Sequence, residues 1–143
     1  MSQHTAALPT VLVLCTGNSC RSQMAEALLA QAYPGRLHVI SAGTHPQPAV
    51  APEALLALQA IGIPTAGLHP KDLTRIAAER VDLVVTVCDN ARESCPVFPG
   101  AVARLHMAFP DPHGHPLEVF VAVRDDIRTR LLPAVGRALS LED

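Results

Sequence analysis

The sequence predicts an α/β fold, a four-stranded parallel sheet with helices on both faces. Three observations carry this reading. Short β-branched apolar runs alternate along the chain with stretches of helical periodicity, the pattern of a covered parallel sheet. The run Val81 to Val87 (VDLVVTV) has almost no polar alternation, as suits a central strand buried on both sides. The first run, Val11 to Leu14, breaks abruptly into Cys15-Thr-Gly-Asn-Ser-Cys-Arg-Ser22 before a helix begins.

The elements follow in order. Thr10 to Leu14 reads as the first strand. Arg21 to Tyr33 reads as the first helix, with Met24 and Leu28 on one row and Ala25 and Leu29 on the next, and Pro34-Gly35 stops it. Leu37 to Ala42 is the second strand. Pro52 to Ile61 is the second helix, with proline in its first turn and Gly62 just past its end. Lys71 to Glu79 is expected to form a short helix. Val81 to Val87 and Val102 to His106 are strands three and four. Leu117 to Leu139 is expected to be a long helix, kinked or interrupted near Thr129 by Pro133.

Ligands of such sheets sit at the carboxyl ends of the strands, where the strand order reverses. Cys15 follows strand one and Cys88 follows strand three. The order 2-1-3-4 makes these strands neighbours and turns both thiols toward one crevice.

The chain has 143 residues, which suits one domain with a proper core, residues 1–8 forming a loose extension. A net charge of −2 gives no general attraction to nucleic acid or to an anionic membrane, so any anion binding must be local. The first residues carry no basic export signal, and no apolar run is long enough to span a bilayer, so a cytoplasmic location is expected. Four cysteines, Cys15, Cys20, Cys88 and Cys95, are then read as catalytic, redox-active or metal-binding thiols in preference to structural staples.

The loop from Cys15 to Ser22 carries the chemistry. A strand, a tight loop and a helix N-terminus aim successive backbone N–H groups at one point and add the helix dipole. Thr16, Gly17, Asn18, Ser19, Cys20 and Arg21 would thus cradle a tetrahedral oxyanion, with Arg21 offering a planar two-pronged donor. The same field should lower the proton affinity of Cys15. Ser22 can donate a hydrogen bond to its thiolate. Asp111, in Pro110-Asp-Pro112 after strand four, stands where an acid could protonate a departing oxygen. Cys20 is given a packing role. His113 and His115 read as solvated loop residues.

Cys88 and Cys95 are harder to place. If the segment between them is helical, their Cα atoms stand about 10.5 Å apart, beyond the roughly 4.4–6.8 Å of a disulfide. Bridging them requires the segment to unwind, which makes the pair a candidate redox switch. A zinc site built from the four thiols is the competing arrangement, though C-x4-C and C-x6-C are loose spacings for zinc.

Cys15-Thr-Gly-Asn-Ser-Cys-Arg-Ser22 together with Asp111-Pro112 resembles the low-molecular-weight protein tyrosine phosphatase fold. With Cys88 and Cys95 added, the chain is similar to the thioredoxin-coupled arsenate reductases of that fold, from Val11 to about Leu132. The resemblance implies Cys15 as nucleophile, Arg21 as oxyanion clamp, Ser22 as thiolate stabiliser and Asp111 as general acid. It implies reduction of arsenate to arsenite, a Cys15–Cys88 disulfide, its exchange to Cys88–Cys95, and re-reduction by thioredoxin. It also implies no tightly bound cofactor, a monomer, and a potassium ion held at Asn18, Glu26, Ser41 and Asp72. The enzyme rival is a phosphatase acting through a phosphocysteine. Phosphatases of this type carry aromatic residues after the Asp-Pro, and His113-Gly114 stands there instead. A different reductant, such as mycothiol or glutathione with glutaredoxin, and a non-enzymatic anion-responsive regulator are the other rivals.

Overall fold

The computed structural model describes residues 8–75, 80–88 and 103–141. Its sheet has four parallel strands in the order β2-β1-β3-β4: β1 (Thr10–Cys15), β2 (His38–Gly43), β3 (Leu83–Thr86) and β4 (Ala103–His106). This is the expected order. Val11 to Leu14 of β1 are wholly buried, as is nearly all of β3, so both faces of the two central strands are covered. The order reverses between β1 and β3, and Leu14 pairs with Thr86 there. The chain leaves both strands at the same end, carrying Cys15 and Cys88 with it.

β3 is shorter than the apolar run that encodes it. Asp82 and Val87 still donate to the β1 backbone, at Thr10 and Leu14, and among the described residues β4 is in register with Leu83 to Thr86. Among the described residues the helices are α1 (Arg21–Ala32), α2 (Pro52–Gln59), α3 (Leu117–Asp126) and α4 (Leu132–Ala138). α3 and α4 occupy the single long helix that was expected. Between them Ile127–Leu131 form a π turn, in which Leu132 N–H bonds to Ile127 O. Pro133 is the cause: in a regular helix its ring would collide with the carbonyl of Thr129, and the wider turn moves that carbonyl aside. The interruption thus falls where the proline placed it.

The expected helix from Lys71 to Glu79 is not formed as such. Leu73–Arg75 make a single 3-10 turn, and residues 76–79 lie outside the described set. Lys71 cannot begin a helix because its backbone is committed sideways. Its N–H goes to Asn18 Oδ1, its carbonyl accepts from Gly43 N–H, and Asp72 makes a parallel bridge with Gly43.

Candidate active site

The loop after β1 owes its shape to where its carbonyls go. Cys15 O accepts from Thr44 N–H, Thr16 O from His45, Gly17 O from Gln47 and Ser19 O from Ala51. Asn18 O accepts from the Gln23 side chain at 2.9 Å, and Cys20 O from Met24 N–H inside α1. Six consecutive carbonyls are therefore drawn outward. In a planar trans peptide the N–H points opposite to the carbonyl, so the amides of residues 16–21 face the other side, into a cavity of about 150 Å³. The loop, Gln47, Asp111 and His113 line that cavity. No side chain caps α1, and no acidic residue lies in its first turn, so its positive end is left for an anion.

Arg21 is held over this cavity. Nη1 donates to Phe109 O at 3.1 Å, and Nη2 lies 3.7 Å from Asp111 Oδ2. Nε is buried and has no hydrogen-bond partner, an orphan donor that a bound oxyanion would satisfy. Asp111 is about half exposed, at 56%, and its other oxygen accepts from His113 N–H at 3.0 Å. His113 is exposed, as expected, but it also forms part of the cavity wall.

Cys15 is the last residue of β1 and is 3% exposed. The Cys88 sulfur lies within hydrogen-bond reach of it and 3.4 Å from Thr16 Oγ1. The strand order thus brings the two buried thiols together, as expected, although only Cys15 lines the cavity. One expectation is overturned here. The hydrogen bond to Cys88, then burial, push the Cys15 thiol well above the ordinary range, and the pull of Arg21 and of the Thr16 N–H does not offset them. The loop does supply the anticipated stabilisation of a thiolate, but the second thiol, 73 residues further on, and burial outweigh it. Cys20 is buried beside Ser19 Oγ, and burial raises its proton affinity as well. Cys95 lies outside the described residues.

Behind the loop, Asn18 is a hub. It sits at φ 50, in the left-handed region. Its amide donates to Ser22 Oγ at 2.7 Å and Ser41 Oγ at 2.9 Å, and its Oδ1 accepts from Lys71 N–H at 2.8 Å. Ser22 is wholly buried and accepts from Asn18, so its own proton is free to serve another acceptor. Ser41 Oγ donates onward to Glu26 Oε1 at 2.6 Å.

The four residues named for potassium are therefore only partly a cage. Asn18, Ser41 and Glu26 do come together. However, Asn18 Oδ1 is already taken by a backbone N–H, and Glu26 Oε1 lies 3.6 Å from the Lys71 ammonium. Asp72 Oδ1 accepts from both the N–H and the hydroxyl of Thr74. This donor set fits a bound potassium ion poorly.

Sequence reasoning missed four contributors. Gln23 is wholly buried and bonds both Asn18 O and His69 O; a glutamine at the start of an apolar helix face was the available signal. Gly43 pairs with Cys15, and a Cβ there would stand 2.6 Å from Thr16 O. Only glycine allows β2 to approach the loop so closely. Gln47 and Lys71 gave no signal, because their roles rest on contacts made across the fold.

A strand-end thiol, an amide-lined loop and an arginine over it define a class of oxyanion-handling enzymes, and comparison with known proteins places the chain. Residues 10–139 match the family model of the low molecular weight phosphotyrosine protein phosphatases, and the chain belongs to that family. Its similarity runs toward one branch. It is 40% identical over 122 residues to arsenate reductase 1 of Bacillus cereus, covering 85% of this chain and 90% of that protein. A solved arsenate reductase in its oxidised state superposes with a TM-score of 0.81 at 26% identity, covering 91% of this chain and 98% of the other. The thioredoxin-dependent arsenate reductase of Corynebacterium glutamicum superposes with a TM-score of 0.74 at 26% identity, covering 94% of this chain and 65% of that one.

Proposed function

We propose that this chain reduces arsenate to arsenite with thioredoxin as the reductant. One observation carries the reading beyond phosphatase chemistry: a second thiol, Cys88, stands within hydrogen-bond reach of the nucleophile Cys15, which itself lines the oxyanion cavity. Hydrolysis of a phosphate ester needs one thiol. Two-electron reduction needs two.

Arsenate has the charge and shape of phosphate, and the amides of residues 16–21 with Arg21 would hold its oxygens. Cys15 must first give up the proton that Cys88 and burial hold on it; as thiolate, with the Ser22 hydroxyl donating to the sulfur, it then attacks arsenic. Asp111 supplies a proton to the departing oxygen, which leaves as water. Cys88 as thiolate then attacks the Cys15 sulfur. The Cys15–arsenic bond breaks with its electron pair on arsenic, giving arsenite and a Cys15–Cys88 disulfide. The thiolate of Cys95 attacks Cys88, restoring Cys15 and leaving a Cys88–Cys95 disulfide. Thioredoxin returns two electrons to that bridge.

The test is arsenate-dependent oxidation of NADPH in the presence of thioredoxin and thioredoxin reductase. The intact chain should turn over repeatedly, and Cys95→Ser should release about one equivalent of arsenite and stop. Sustained thioredoxin-driven turnover by Cys95→Ser would overturn the scheme. Cys88→Ser should lose arsenate reduction while keeping whatever activity the loop has on a small aryl phosphate. A chain that hydrolyses phosphate esters and never forms arsenite would be a phosphatase.

A further inference from the structure

The oxyanion loop has a carboxylate behind it. Glu26 lies on α1, joined to the loop through Ser41 and Asn18. A negative charge in that position opposes an incoming dianion unless a cation balances it. The structure supplies the cation from the chain itself.

Lys71 Nζ lies 3.6 Å from Glu26 Oε1 and donates to His69 O at 2.9 Å. Both charged side chains are about four-fifths buried, with 21% and 20% exposure. The backbone of the same residue braces the loop: its N–H holds Asn18 Oδ1, and its carbonyl holds the N–H of Gly43, the glycine packed against Thr16 O. The ammonium thus rests on a carboxylate oxygen and a backbone carbonyl, oxygen donors of the kind a monovalent metal ion takes. A tether of four methylenes keeps it there.

We propose that Lys71 is a built-in cation. Its ammonium balances Glu26 in place of a potassium ion, and through Ser41 and Asn18 it keeps the loop in its oxyanion-binding shape whatever the ionic composition of the medium. Lys71 is a positioning residue: it acts on the oxyanion only through the loop. The inference concerns anion affinity and does not depend on which reaction follows, so it is read without turnover.

The experiment titrates the reduced, full-length protein with inorganic phosphate by calorimetry, in potassium chloride and in choline chloride at equal ionic strength. The wild-type protein should bind phosphate equally in both. Lys71→Met should bind about fivefold more weakly in choline chloride, and potassium, entering the place that the ammonium leaves between Glu26 Oε1 and His69 O and not the Asn18 and Asp72 oxygens already taken, should restore most of that loss. Lys71→Arg should behave as wild type. Wild-type binding that strengthens severalfold in potassium chloride over choline chloride would overturn the proposal. So would a Lys71→Met protein that binds as wild type in choline chloride, or one whose weakened binding potassium does not relieve. Should Lys71→Met fail to fold, the wild-type comparison in the two salts decides alone.

Discussion

Asn18 shows what one residue carries in this site. Its side chain spends both amide protons and its oxygen on Ser22, Ser41 and Lys71, and these bonds hold a left-handed backbone that a residue other than glycine rarely adopts. Asn18→Ala should lose about 2–3 kcal/mol of stability, measured by urea unfolding, and phosphate affinity should fall with it. The sequence marked Asn18 as tolerant of unusual backbone angles but not as a hub, because Ser41 and Lys71 lie 23 and 53 residues away. Cys15 is a parallel case. Its position and the loop's amides were legible, whereas its raised proton affinity comes first from Cys88. Cys88→Ala should therefore move the pH midpoint of iodoacetamide labelling at Cys15, followed by mass spectrometry, to lower pH. An unmoved midpoint would show that burial alone holds the proton.

At the level of elements, the strands and helices were read from periodicity and punctuation, and their order from the wish to bring two strand ends together. Boundaries moved where partners decided them. β3 spans four residues, each in register with β1 on one side and β4 on the other, and Lys71 stays extended because its backbone serves the loop and β2. The split between α3 and α4 was legible because Pro133 acts locally. The end of β2 was not, since the need for glycine at residue 43 appears only when β1 and β2 pair. Gly43→Ala sets a Cβ 2.6 Å from the Thr16 carbonyl, and backbone cannot swing away as a side chain tip does. That variant should be destabilised by about 1–3 kcal/mol, and it should weaken phosphate binding as the loop shifts. Calorimetric titration alongside thermal melting separates the two effects.

The molecule as a whole carries a net charge of −2 and yet presents an anion site. Attraction is therefore local, from amides, one helix end and Arg21, with the ammonium of Lys71 facing Glu26 behind. The buried thiols also set how stability responds to pH. Cys15 and Cys20 hold their protons more tightly in the folded protein than ordinary thiols do. The stability this contributes is complete below the unfolded thiol value of about 8.5. It is lost as pH rises from there toward the folded values, because the unfolded chain sheds protons that the native state keeps. Tm should fall between about pH 8 and about pH 10, and less steeply in Cys15→Ala. A Tm that rises over that interval would contradict the raised values.

The pairing of β1 with β3 has a consequence for the mechanical state of the chain during turnover. A bond between Cys15 and Cys88 would close a circuit of 73 residues, the difference between the two positions. It would thereby remove about 4 kcal/mol of loop entropy from the unfolded chain. Transfer of the bond to Cys95 shrinks the circuit to seven residues, the difference between those two positions, and gives about half of that constraint back. Each stage of the cycle therefore has its own resistance to unfolding, greatest when arsenite has just departed and least when the protein is fully reduced. The protein would stiffen and relax once per turnover, and a melting curve would report how far the reaction has gone.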